Sequence, residues 1–131
     1  MDKATDALLK GYLAKADEKL RAASSLLRQR YYPDAVSRAY YAVFHAAQAA
    51  LLREGEQATT HRGLVTLFGL LLVKTGKIEA RYGRFLSNLK DDREQSDYEV
   101  FAQIDRSIAL RAIREARAFV QRIRRLVRSI R

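Results

Sequence analysis

The chain of 131 residues has no cysteine and no tryptophan, one proline, six glycines and two histidines. Without cysteine there is no disulfide, no thiolate nucleophile and no zinc–thiolate site. That usage fits a reducing compartment, and a cytoplasmic location is expected. Scarce proline and glycine leave long stretches free of helix breakers. The longest apolar run, 63–73, is too short to cross a bilayer and contains Thr66 and Gly69, so no membrane association is expected. From Asp2 to Lys10 charged and apolar residues alternate, which is not the pattern of a signal peptide. Glycine-rich phosphate loops, a His-Glu-x-x-His helix and a nucleophile elbow are absent, which argues against P-loop, kinase, dehydrogenase and zinc-hydrolase chemistry. Two histidines and scattered acids form no convincing metal set, and neither metal nor cofactor is expected.

What is present points to helices. Apolar residues make up 48 % of the chain, enough for a core. Leu, Ala, Arg, Lys and Glu predominate, which favours an all-α chain. The length suits one domain spanning 1–131. A first helix over about 3–30 carries a stripe of Leu9, Leu13, Ala16, Leu20, Ala23 and Leu27, a bundle-type seam. Tyr31-Tyr32-Pro33 interrupts it, and Pro33 and Asp34 suit the first turn of a second helix ending near Arg53. That helix presents Val36, Tyr40, Val43, Phe44, Ala47 and Leu51. Thr59 or Thr60 caps a third, very apolar helix over about 61–75, placed at the bundle centre or at a subunit interface, and Gly76 stops it. A fourth over about 78–92 turns Tyr82, Phe85, Leu86 and Leu89 inward. A polar link at 93–96 follows. Asp105 or Ser107 caps the last helix, whose stripe is Ile113, Ala116, Val120, Ile123, Val127 and Ile130. The expected architecture is an up-and-down bundle of four long helices plus one short one.

Net charge is +10, from 25 basic and 15 acidic residues. Residues 111–131 hold eight arginines and one acid, Glu115. A basic surface suits nucleic acid, an anionic membrane or an acidic partner; it equally suits a solvated helix face.

Three polar groupings interrupt the apolar pattern. Arg38 and His45 lie seven residues apart on the second helix, two turns, with Tyr41 and Ala42 between them. Arginine grips phosphate by charge and paired hydrogen bonds, and histidine moves protons near neutral pH. Burial without partners costs roughly 2–7 kcal/mol for a neutral polar group, so they serve either chemistry or a structural network. His61-Arg62-Gly63 opens the third helix, where free N–H groups favour anions. Its plain alternative is a capping segment with an exposed histidine. Arg93-Glu94-Gln95-Ser96-Asp97-Tyr98 is the third grouping. Asp97 there can orient a histidine or pair with Arg38, and Tyr98 can stack on a base. Its plain alternative is a helix end with an Arg93–Asp97 ion pair.

At residues 39–47, Ala-Tyr-Tyr-Ala-Val-Phe-His-Ala-Ala, the chain resembles the HEPN domain (higher eukaryote and prokaryote nucleotide-binding). Thr60-His61-Arg62-Gly63, residues 93–98 and Phe119-Val120 match a small single-domain prokaryotic branch of it. The resemblance implies a helical bundle that forms a homodimer. It also implies a minimal nucleotidyltransferase as antitoxin-like partner in toxin–antitoxin pairs. Many members are metal-independent ribonucleases with an Arg-x4–6-His motif, in which histidine assists attack by the ribose 2′-hydroxyl and arginine stabilises charge at phosphorus. Arg38 and His45 satisfy that spacing. The family motif sits later in the bundle, near Arg93, where this chain has Asp97 and Tyr98 and no histidine. In some members a tyrosine near the motif is nucleotidylated, and Tyr98 is the matching position.

Three readings follow. In the first, the protein is the toxin-like component of such a pair. Arg38, His45 and Arg93 are its candidate catalytic residues, and Tyr41, His61, Arg62, Asp97 and Tyr98 bind nucleotide or RNA. In the second, the same residues form a network in a non-catalytic interaction module that dimerises and binds the nucleotidyltransferase. In the third, Arg122, Arg124, Arg125 and Arg128 bind nucleic acid by charge alone.

Overall fold

A computed structural model describes residues 2–101 and 103–128. Ile130 and Arg131 lie outside the described residues. The chain is all-helical: α1 (Lys3–Arg28), α2 (Tyr32–Arg53), α3 (His61–Phe68) running into a π-helical turn (Gly69–Val73), α4 (Ala80–Tyr98) and α5 (Arg106–Arg128). Four long helices pack as an up-and-down bundle, and the short α3 lies against α2 and α4.

The ends follow capping chemistry. Asp2 accepts from the Thr5 N–H at 2.7 Å and opens α1. The Arg30 N–H bonds the Leu27 carbonyl and the Tyr31 N–H the Leu26 carbonyl, the paired bonds of a Schellman ending. Arg30 therefore takes φ 67°, a conformation that glycine usually supplies. Thr60 caps α3 by accepting from the Gly63 N–H at 2.8 Å. A β-carbon at Gly63 falls 2.8 Å from the Thr60 hydroxyl, so the cap depends on the glycine. Asp105 caps α5 by accepting from the Ile108 N–H at 2.9 Å.

Two elements differ from the sequence expectation. The most enclosed helix is α2, not the apolar third helix. Ala35, Ala39, Ala42, Ala46, Ala47, Ala49 and Ala50 are fully buried along it. Small side chains admit neighbours closely on several sides, whereas α3 buries Leu64, Phe68 and Leu72 and leaves Leu70 half exposed. The second difference is α4, which continues through the expected link to Tyr98. Pairs one turn apart hold its polar end: Lys90 to Glu94 at 2.6 Å and Arg93 to Asp97 at 3.5 Å. In the core, Phe119 from α5 meets Phe68 at 5.3 Å and Tyr82 at 6.4 Å between ring centres.

Three of the eight arginines of α5 pair with carboxylates. Arg111 pairs with Asp92 at 3.1 Å, and Arg122 grips both oxygens of Glu79 at 2.8 and 3.1 Å. Arg124 pairs with Asp17. Two of the four arginines expected to bind nucleic acid are thus tied to carboxylates of their own chain.

Candidate functional site

The cleft lies between the middle of α2, the start of α3 and the end of α4. It encloses about 680 Å³. Tyr41 forms one wall, His61 another, and Arg93, Glu94 and Tyr98 the third; Asp91, Gln95 and Glu99 lie on the rim.

Arg93 is its centre. The residue is only 5 % exposed, although it carries a full charge. Its guanidinium stands 5.1 Å from the Tyr40 ring, 5.8 Å from Tyr41 and 5.9 Å from Tyr98. Such rings attract a cation through their negative faces. Asp97 supplies the counter-charge at 3.5 Å and also accepts a hydrogen bond from the Ser37 hydroxyl. The Arg93 Nε–H is buried without a partner among the described residues.

His61 is held by Tyr40. The fully buried phenol lies 2.6 Å from His61 Nδ1. Burial lifts the Tyr40 pKa well above the ordinary phenol range, against the pull of Arg93. Burial, with Arg93 and Lys90 behind it, lowers the pKa of His61. Near neutral pH both groups are uncharged. The Tyr40 O–H then donates to Nδ1, which leaves the imidazole proton on Nε2. Tyr41 and Phe44 flank the imidazole with ring centres 6.0 and 4.8 Å away.

The charge balance is mixed. Lys90 neutralises Glu94, and Asp97 is matched by Arg93, but Asp91 and Glu99 put negative charge on the rim. One deep cation beneath an acidic rim suits one phosphate better than a long polyanion. Among the described residues no three His, Asp or Glu side chains are grouped to hold a metal ion.

The structure brings together Tyr41, His61, Arg93, Asp97 and Tyr98. Arg38 and His45 do not line this cleft. Arg38 is exposed on α2, and its side chain makes no ion pair or hydrogen bond among the described residues. His45 turns to α1, where its ring stacks on Tyr12 at 6.4 Å. Its Nδ1 is buried without a partner among the described residues, and burial, with Lys19 and Lys15 nearby, lowers its pKa. Arg62 is exposed and does not line the cleft; it borders a neighbouring groove with Thr66, Ser87 and Lys90 that meets the cleft at Asp91. Asp97 pairs with Arg93, not Arg38. Tyr40 and Ser37 went unrecognised in the sequence. Tyr40 sits in the apolar stripe and reads as core; the signal was its hydroxyl, which needs a partner when buried.

The HEPN domain model matches residues 9–126. A Methanocaldococcus jannaschii protein named "Putative toxin MJ0605" is 39% identical over 115 residues, 88% of this chain and 85% of that protein. A UPF0332 protein of Archaeoglobus fulgidus is 32% identical over 115 residues, 88% of this chain and 91% of that protein. The crystal structure of TT1696 from Thermus thermophilus superposes with a TM-score of 0.78 at 18% identity, covering 90% of this chain and 97% of that one. No helix among the described residues is long and apolar enough to cross a membrane.

Proposed function

The chain belongs to the HEPN domain family, and from that premise we propose that it is the toxin-like member of a two-protein pair whose cleft takes a nucleotide or one nucleotide unit of RNA. One observation carries the reading: a buried guanidinium, ringed by three tyrosines, keeps an unspent N–H donor. A buried charge is costly, and a phosphate in the cleft that Arg93 lines would answer it. Arg93 holds the phosphate in this reading. The His61 Nε2–H donates to a second phosphate oxygen. Tyr98, 72 % exposed, stacks on the base, and Tyr41 closes the side. In metal-independent RNA cleavage, Arg93 and the His61 Nε2–H stabilise charge at phosphorus as the ribose 2′-oxygen attacks and the 5′-oxygen leaves, water taking the proton of the first and supplying that of the second, while the Tyr40 hydroxyl holds the imidazole in that tautomer. Arg38 and His45, outside the cleft, have no part in that step.

A different observation favours the interaction-module reading. Next to Tyr98, Val100 and Phe101 are 88 % and 91 % exposed. An apolar tip beside an accessible phenol suits a protein partner. In this reading the partner is the minimal nucleotidyltransferase, with Tyr98 as the acceptor, and the chain itself forms a homodimer.

The deciding experiment incubates labelled tRNA and mRNA in EDTA with the wild type, His61→Gln and Arg38→Ala/His45→Ala. Nucleotide binding is followed by calorimetry on the same samples. The cleft reading expects His61→Gln to weaken binding, and any cleavage with it, while the Arg38/His45 variant behaves as wild type. No binding and no cleavage by the wild type, with tight capture of the nucleotidyltransferase, leaves the interaction module.

A further inference from the structure

On the side of the bundle formed by α1 and α5, a groove of about 320 Å³ is lined by Leu20, Arg21, Ser24, Arg28 and Arg117. Among the described residues no carboxylate borders it. All three arginines are exposed, and none forms an ion pair among the described residues. The nearest acids on α1 lean elsewhere: Asp17 pairs with Arg124, and Glu18 faces Lys15 at 4.0 Å. Arg117 donates once, to the Ser24 hydroxyl at 2.5 Å. A guanidinium has five N–H donors, so most of its capacity is unspent.

Helix geometry arranges these charges in a row. Arg21 and Ser24 are about 4.5 Å apart along the α1 axis, and Ser24 and Arg28 about 6 Å, at 1.5 Å per residue. Arg117 reaches across from α5 at the level of Ser24. Three guanidiniums therefore stand along about 10 Å. Arg28 also answers the partial negative charge at the end of α1, but Arg21 and Arg117 have no such duty. A single phosphate calls for a point cluster; a row suits successive phosphates of one strand. The groove is concave, and its one apolar side chain, Leu20, is half-buried, so nothing projects to enter a lipid layer. Among the described residues no aromatic lines it, so no base is read there.

We infer that this α1–α5 groove binds the phosphodiester backbone of a nucleic-acid strand, independently of sequence. The inference stands apart from the cleft, which lies between other helices and binds by one buried cation.

The test compares the full chain with Arg21→Gln/Arg28→Gln/Arg117→Gln and with the matching triple Lys variant. Binding of labelled single-stranded RNA and DNA oligonucleotides is measured by anisotropy between about 50 and 200 mM salt. The Gln variant is expected to weaken binding at least about tenfold at low salt. Its slope of log affinity against log salt should fall by about 2, at about 0.7 per lost phosphate contact. The loss should be equal for oligo-U and oligo-A, and the Lys variant should retain the slope. The residues are exposed, so the melting temperature should hold, which separates lost binding from lost fold. An unchanged slope, no binding by the wild type, or tighter binding to anionic phospholipid vesicles than to RNA overturns the inference. Arg93→Met, run in parallel, loses mononucleotide binding alone if the two sites are separate. If mononucleotide binding survives in Arg93→Met, the cleft reading fails and the groove stands on its own salt slopes.

Discussion

Replacing Arg93 by methionine separates function from stability at one side chain. The three rings lie 5.1, 5.8 and 5.9 Å from the guanidinium, near the outer limit of a cation–π contact, so each contributes about 0.5 kcal/mol. The ion pair to Asp97 adds about 0.5 kcal/mol, since it spans one turn of helix and the Asp97 side chain is 30% exposed. Methionine forfeits about 2 kcal/mol in all. It regains part of that by filling the same space with a thioether that packs well on aromatic rings. It also removes the buried Nε–H that has no partner, a relief of about 1–3 kcal/mol. The net change in stability should lie within about 1 kcal/mol of zero. Losing a charged donor to phosphate costs about 1.5–3 kcal/mol of binding, or about 10- to 100-fold in Kd. Urea unfolding followed by circular dichroism measures the first quantity, and calorimetric titration with a nucleotide the second. Arg93→Ala, by contrast, leaves a gap among three rings and should cost stability as well. A methionine variant that loses more than about 3 kcal/mol of stability yet binds nucleotide normally refutes the reasoning and makes Arg93 a structural residue.

Both histidines titrate below their ordinary value of 6.5 in the folded chain, His45 through burial, Lys19 and Lys15, and His61 through burial, Arg93 and Lys90. The unfolded chain then takes up protons first, so their contribution is complete above pH 6.5 and is lost as pH falls toward the folded values. Melting curves of the wild type and of His45→Gln/His61→Gln should converge or cross on acidification; a constant gap contradicts the shift. Asp92 and Glu115 are shifted upward by burial and act in the opposite direction, and the difference between the two proteins removes their share. Arg30→Gly should stabilise the chain by about 0.5–1 kcal/mol, because Arg30 holds φ 67° at an exposed helix ending; a lower urea midpoint would speak against strain there. Phe119→Ala should cost about 3–5 kcal/mol, since it empties the contact among α5, Phe68 and Tyr82. A loss under about 1 kcal/mol would mean that this contact does not hold the bundle together.

Much of the fold was legible because it rests on periodicity and capping. The stripe of α1, the caps at Thr60 and Asp105 and the stop at Gly76 each depend on local spacing. The end of α4 was legible only in part: 93–96 reads as a polar link, and its plain alternative, a helix end with an Arg93–Asp97 ion pair, is the one found, but the burial of Arg93 against tyrosines of α2 is a tertiary fact. The apolarity of α3 suggested the bundle centre or a subunit interface; the centre is taken by α2, because enclosure depends on how closely neighbours approach and its alanines allow more of that. The site divides in the same way. Residues 93–98 and His61 stood out as polar interruptions at the start of one helix and the end of another. Seven-residue spacing gives Arg38 and His45 one side of α2, but which neighbour covers that side is a tertiary fact, and α1 covers His45. The α5 arginines left nucleic-acid binding and a solvated face open, because a sequence does not show that Asp92, Glu79 and Asp17 lie opposite Arg111, Arg122 and Arg124.

The central claim is that the ligand's phosphate sits between Arg93 and His61. Isotope-edited NMR of the two histidine side chains, during titration with a nucleotide in EDTA, tests it most directly. The account predicts that the His61 resonances move and that its pKa rises as phosphate charge arrives, while His45 keeps its place. Movement of His45 with His61 unchanged would contradict it and return the chemistry to the α1–α2 face.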